Sequence, residues 1–136
     1  MRLTLSELTT DEPIDLGAGD WIEIDHERIC RFGDVTEDRQ WIHMDRERAA
    51  EGPFGRPIAH GLLTLSLIFS QLFEMFEIAD AGLVVNYGFD RVRYPAPVPE
   101  GSRIRLHAKI VSTEPKAGGT LCHLALEWEL EGSARP

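Results

Sequence analysis

Apolar residues crowd the segment from His60 to Ala79 on nearly every side. Leu62, Leu63, Leu65, Ile68, Phe69, Leu72, Phe73, Met75 and Phe76 cover most of a helical circumference. A helix that is apolar nearly all round is a buried one. Its polar face widens only toward Glu74 and Glu77, so the first half is expected to lie deepest. Beyond this helix the period shortens to two. Ser102 to Ser112 puts Ile104, Leu106, Ala108 and Ile110 on one face and Arg103, Arg105, His107 and Lys109 on the other. Thr120 to Leu130 alternates likewise through Cys122, Leu124, Leu126, Trp128 and Leu130, and Gly118-Gly119 between the two marks a hairpin turn. Leu83 to Phe89 is also β-rich, continued by Arg91 to Tyr94 until Pro95, Pro97 and Pro99 interrupt.

Ahead of the helix the signals are shorter. Residues 1–19, punctuated by Pro13, Gly17 and Gly19, read as a loose lead-in, and Asp20 to Ile24 as a short strand. Asp25 suits the N-cap of a helix reaching Phe32. Residues 33–45 read as a loop with an apolar anchor, Asp45 as the cap of a short helix from Arg46 to Glu51, and Gly52, Pro53, Gly55 and Pro57 as a turn-rich connector. One buried helix followed by antiparallel strands is an α+β arrangement with a sheet covering a helix. No βαβ repeat is present, and a single domain over residues 1–136 is expected.

The net charge of −9 argues against nucleic acid as a partner, because phosphate binding needs a basic field. Cys30 and Cys122 form no CxxC pair, and His26, His107 and His123 have no metal-ligand spacing, so reduced thiols and no metal are expected. The start of the chain has no sustained apolar core, so no signal peptide is expected. The run from Leu62 to Ile78 is broken by Thr64, Ser66, Ser70, Gln71, Glu74 and Glu77 and falls short of a membrane span. A cytoplasmic enzyme or binding domain fits this composition.

The candidate chemistry lies between Gly33 and Gly61. Asp38 and His43 stand five residues apart. A carboxylate and an imidazole can together hold and polarise a water, one taking its proton while the other donates or relays one. Burial near Trp41 would raise the Asp38 pKa. The same spacing also suits a turn-capping Asp and a structural His. Gly61 opens the buried helix, where N–H groups without helical partners suit a developing oxyanion; a glycine kept for tight packing is the other reading. His60 is a candidate for orienting the loop, Gln40 for bonding loop or substrate, and Asn86 for meeting a partner in an apolar strand. Arg56, Arg91, Arg93, Arg103, Arg105 and Lys109 form a local basic excess able to hold phosphates. No Ser–His–Asp set, P-loop or GxGxxG fingerprint occurs.

FGDVTEDRQWIHMDRERAAEGPFGRPIAHGLLTLSL resembles the MaoC-like dehydratase family, related to (R)-specific enoyl-CoA hydratases, and within it the NodN-like branch. NYGFDRVRYPAPVPEGSRIR resembles that branch's second block, and together the matches span roughly residues 20–112. The resemblance implies a hot-dog fold, an antiparallel sheet wrapped around a long central helix, pairing edge to edge as a homodimer. It puts the catalytic pair on Asp38 and His43 and the oxyanion donor on Gly61. Gln40, Trp41, His60, Asn86, Arg56, Arg91 and Arg93 are then expected on the substrate side. The implied reaction adds water to a trans-2-enoyl-CoA, giving a (3R)-3-hydroxyacyl-CoA, with no metal or redox cofactor. Where such hydratases read D-x-N-P-x-H, this chain has Gln40 and Trp41, which are expected to reshape the pocket. A hot-dog acyl-CoA thioesterase and a non-catalytic acyl-thioester-binding module are the competing readings.

Overall fold

The computed structural model describes residues 1–9 and 12–136. Its elements in chain order are β1 (Arg2–Leu3), β2 (Ile14–Ala18), β3 (Ile22–Ile24), α1 (His26–Thr36), α2 (Trp41–Met44), α3 (Arg46–Ala50), α4 (Gly61–Ser66), α5 (Ile68–Met75), β4 (Glu77–Ile78), β5 (Ser102–Lys116) and β6 (Gly119–Leu130). The chain forms two compact units. One comprises residues 1–20, 69–93 and 106–128; the other comprises residues 21–68, 94–105 and 129–136.

In the first unit, β2 runs antiparallel to β5, with Ile14 opposite Ile110 and Ala18 opposite His107. The register slips between Asp15 and Gly17, where Gly17 takes φ 77° and its N–H reaches the Asp15 carboxylate at 2.8 Å. This bulge breaks the alternation of a five-residue strand, which is why the segment reads as a loose lead-in. Thr10 and Asp11 of that expected lead-in lie outside the described residues. The β5–β6 hairpin turns at Ala117-Gly118, with Gly118 at φ 85°. Leu106, Ala108 and Ile110 are buried as their alternation requires, each large side chain contributing about 1.5–3 kcal/mol. Two expectations fail in this unit. The central helix stops at Met75 rather than Ala79, because the Met1 nitrogen donates to the Met75 carbonyl at 2.6 Å and Glu77–Ile78 becomes a strand parallel to β1. Leu83 to Phe89 is not a strand: no segment among the described residues supplies it with a ladder, and its apolar side chains are exposed.

In the second unit, β3 pairs antiparallel with the start of β5, Ile22 opposite Ile104 and Ile24 opposite Ser102. Ile24, Ile29 and Ile104 are fully buried. The Asp25 carboxylate accepts from the Arg28 N–H at 2.7 Å and so starts α1. That helix passes Phe32 and reaches Thr36, overturning the expected loop at residue 33. Gly33 lies inside it because a Cβ there would stand 2.5 Å from the Met44 sulfur and 3.0 Å from the Asp38 carbonyl oxygen. Residues 41–44 form one helical turn, too short to register as a period. Asp45 caps α3 through the Arg48 N–H at 2.9 Å, as expected. The apolar run from Gly61 pauses at Leu67. There the Thr64 and Ser66 hydroxyls donate to the carbonyls of Gly61 (2.8 Å) and Leu63 (2.7 Å), competing with the helical ladder. Arg103 and Arg105 are not free for a phosphate. They stack on Trp21 at 5.8 and 4.5 Å and pair with Glu131 and Glu129.

Candidate active site

Three short elements of the second unit converge on one polar cluster. α1 ends at Glu37, whose left-handed φ of 62° turns the chain so that Asp38 follows directly. α2 carries His43, and His60 is the N-cap of α4. Asp38, His43 and His60 each bring a ligating atom within 4.8 Å of the others. Asp38 is exposed, whereas His43 and His60 are 7% and 3% exposed.

Backbone carbonyls fix both imidazoles. His43 Nδ1 lies 2.6 Å from the Ile58 carbonyl oxygen, and His60 Nε2 lies 2.9 Å from the Asp38 carbonyl oxygen. A carbonyl only accepts, so each of these nitrogens carries the proton and donates. When a ring is neutral its remaining nitrogen is an acceptor: Nε2 on His43 and Nδ1 on His60. The latter is buried without a hydrogen-bond partner. The rings stack at 3.9 Å between centroids, 26° apart in plane, and Phe32 closes on His60 at 5.0 Å. His60 therefore holds the backbone of Asp38 while supporting the His43 ring.

The Ile58 carbonyl is itself held. The Ile58 N–H donates to Ile42 O at 3.0 Å, the Ala59 N–H to Val98 O at 2.8 Å, and Ile58 bridges Pro99. Burial is the main cause that pushes the His43 pKa below its ordinary value. The neighbouring His60 adds to this, while the Ile58 hydrogen bond and the Asp38 charge oppose it. The burial that the sequence suggested for Asp38 is absent, since its side chain is exposed.

Gly61 opens α4, and its N–H belongs to the first turn, where no helical acceptor exists. A Cβ at this position would come within 3.0 Å of three atoms of the Tyr94 ring. A close aromatic neighbour therefore favours the glycine, because a Cβ would oblige the ring to shift by a few tenths of an ångström. Tyr94 has no signal in the sequence beyond standing before Pro95.

The other candidate residues are placed as follows. Trp41 begins α2 with its ring against Gly52 and under the Arg48 guanidinium at 4.5 Å. Gln40 is exposed, and its carbonyl accepts from the His43 N–H at 3.0 Å. Arg56 is exposed in the turn before Pro57. Asn86, Arg91 and Arg93 are exposed residues of the first unit, with Arg93 donating to its neighbour Val92 O at 2.8 Å.

Two histidines and a carboxylate also invite a metal reading. An imidazole lone pair lies in the plane of its ring. Rings stacked this closely, and only 26° from parallel, hold their lone pairs in separate, nearly parallel planes, a poor geometry for one shared ion. The Asp38 carboxylate and the two imidazoles bring hydrogen-bonding atoms within 4.8 Å of one another, a spacing that a small hydrogen-bonded molecule can bridge.

A model of the MaoC-like domain matches residues 9–123. The chain is 45% identical to 3-hydroxyacyl-thioester dehydratase Z of Mycobacterium tuberculosis over 122 residues, 89% of this chain and 81% of that protein. It is 46% identical to nodulation protein N of Rhizobium leguminosarum bv. viciae over 106 residues, 76% of this chain and 66% of that protein. In structure it resembles a monoamine oxidase regulatory protein from Archaeoglobus fulgidus, with a TM-score of 0.78 at 23% identity, covering 96% of this chain and 86% of that one. It also resembles the unliganded R-hydratase PhaJ1 from Pseudomonas aeruginosa, with a TM-score of 0.65 at 21% identity, covering 94% and 84%.

Proposed function

Because the chain belongs to the MaoC-like dehydratase family and has its hot-dog fold, we propose that it is an (R)-specific enoyl-CoA hydratase, working in either direction. The observation that carries this reading is the tautomer of His43. With Nδ1–H committed to Ile58 O, Nε2 is the nitrogen left with a lone pair, and a ring nitrogen of His43 and the Asp38 carboxylate lie within 4.8 Å of each other. A water bound by both has an acceptor for the proton it must lose. In hydration its oxygen bonds to C3 of the enoyl thioester and the C2–C3 π electrons move toward the thioester carbonyl. The pair takes one proton from the water and returns one to C2. The Gly61 N–H would donate a hydrogen bond to the carbonyl oxygen as negative charge builds there. Dehydration is the same path reversed.

The 45% identity to a 3-hydroxyacyl-thioester dehydratase supports a thioester substrate. Arg56, Arg91 and Arg93 are each exposed, and the guanidinium of any one of them is suited to a coenzyme A phosphate, unlike the paired Arg103 and Arg105. Gln40 and Asn86, both exposed, are suited to its amides. A second copy of the chain would cover Leu83, Val85 and Tyr87, which are 81%, 68% and 73% exposed.

The test is to incubate the protein with crotonyl-CoA and longer trans-2-enoyl-CoAs, following loss of enoyl absorbance and release of free thiol. Enoyl loss without thiol is expected. Thiol release would instead make the chain a thioesterase, and neither signal at any chain length would leave a binding module. Asp38→Asn and His43→Ala should each lower kcat by about 10²-fold or more.

A further inference from the structure

Outside the dyad, a second polar cluster gathers on Glu100. Its Oε2 accepts from Arg46 Nε at 3.0 Å and stands 2.9 Å from His26 Nδ1, a close contact that is not an aligned hydrogen bond. The Glu100 side chain is only 19% exposed, and that of His26 18%. His26 in turn bonds Cys30 Sγ through Nε2 at 3.3 Å. A surface ion pair contributes little to stability, so the interest of this cluster lies in what it connects.

Each contact of Glu100 lands on a segment that leads into, follows or supports one half of the dyad. His26 is the first residue of α1, whose far end delivers Asp38. Arg46 is the first residue of α3, two residues beyond the helical turn that carries His43. The Glu100 N–H donates to Pro57 O at 2.8 Å, next to Ile58, whose carbonyl sets the His43 tautomer. Proline offers only its carbonyl to a ladder, so this N–H, the Ala59–Val98 bond and the Ile58–Pro99 bridge fix the 57–59 segment.

Resting on the hydratase reading above, we infer that Glu100 is a positioning residue for the Asp38–His43 pair. Its carboxylate ties the starts of α1 and α3 to the segment whose carbonyl orients His43. It touches neither substrate nor reacting atoms, and it acts through the Ile58 carbonyl and the placement of the two helices. Displacing that carbonyl removes the acceptor for Nδ1–H, and the imidazole loses its single tautomer.

The experiment compares Glu100→Ala and Glu100→Gln with Glu131→Gln, which removes the same charge from the Arg103 pair. Turnover and KM on a trans-2-enoyl-CoA are measured beside the nitrogen-15 spectrum of the imidazoles, with the His43 signal assigned by its loss in His43→Ala. Glu100→Ala should lower kcat about tenfold, the scale of a small misplacement of reacting groups. KM should stay within about twofold, because substrate contacts are intact. Glu100→Gln, which keeps a neutral acceptor for Arg46, should lose less, and Glu131→Gln nothing. His43 should change from a single Nδ1–H tautomer to a mixture in Glu100→Ala. If Glu100→Ala does not fold, Glu100→Gln decides by the same two readouts. Unaltered kcat and tautomer in the Glu100 variants would overturn the inference, as would an equal loss in Glu131→Gln. If the unmodified protein hydrates nothing, the reaction assignment fails while the spectrum still decides the positioning role.

Discussion

His43 donates from Nδ1 to the carbonyl oxygen of Ile58 at 2.6 Å. That bond leaves Nε2 as the free acceptor, and burial keeps the ring neutral by pushing its pKa below the ordinary 6.5. The neutral form is the one able to take a proton from water. The acid limb of kcat/KM for hydration should therefore fall below pH 6.5, and activity should hold through neutrality. The same shift has a consequence for folding. As pH falls, the unfolded chain takes up the histidine proton first, so stability is full above 6.5 and declines toward the lowered folded value. Rate profiles and chemical denaturation across pH 5–8 check both. An acid limb centred above 6.5 would show a charged His43 and end the proposed role of Nε2.

Gly61 and Tyr94 set two effects against each other. Alanine is better than glycine in a helix by about 1 kcal/mol, but here its Cβ would meet the Tyr94 ring at 3.0 Å. Tyr94 is 51% exposed and can yield, so Gly61→Ala should change stability by no more than about 1 kcal/mol. Yielding moves the ring and the first turn that offers the N–H, so kcat should fall by about 10²-fold, as for loss of one oxyanion donor. Adding Tyr94→Ala should restore part of that rate if the cause is steric. A Gly61→Ala enzyme with normal kcat would take the donor role away from this turn.

How far these features were legible depended on their length. The alternation of Ile104, Leu106, Ala108 and Ile110 spans enough residues to fix a face, and all four are buried. Asp25 and Asp45 announced their helices because a cap is chemistry of one residue. Leu83 to Phe89 misled, since β-rich composition reports a fit to a pleated surface and not the presence of a neighbouring strand. The helix from His60 was seen, but its pause at Leu67 depends on where two hydroxyls point. At the site, Asp38, His43 and Gly61 stand out by spacing and by position at the helix start, and motif resemblance adds the roles expected of them. The Ile58 carbonyl and the Tyr94 ring were invisible, because a backbone acceptor has no residue signature and a contact distant in sequence leaves no period.

The exposed run around Leu83, Val85 and Tyr87 predicts self-association. Light scattering should give a dimer for the unmodified chain. Val85→Asp should give a monomer, since a carboxylate cannot be buried unpaired at an apolar contact without a cost of several kcal/mol. Helical and sheet content should persist, because Val85 is 68% exposed within the chain itself. A monomeric unmodified protein would remove the second copy as the cover for this run.

Glu37 is the non-glycine residue held at positive φ among the described residues, and it stands directly before Asp38. A left-handed conformation costs an L-residue about 1–2 kcal/mol, and glycine is nearly exempt. Its site is the C-cap of α1, where glycine is the usual occupant. Glu37→Gly should therefore raise stability by about 0.5–1 kcal/mol, measured by denaturation, since part of the gain is lost to the greater freedom of the unfolded chain. Activity should be nearly preserved, because His60 Nε2 anchors the Asp38 carbonyl independently at 2.9 Å. Proline cannot reach φ 62°, so Glu37→Pro must expel the turn and with it the Asp38 carboxylate. A collapse of kcat in Glu37→Pro together with a stabilised, active Glu37→Gly would show that the turn's shape, and not the Glu37 side chain, delivers Asp38 to His43. Loss of activity in Glu37→Gly would assign that role to the side chain instead.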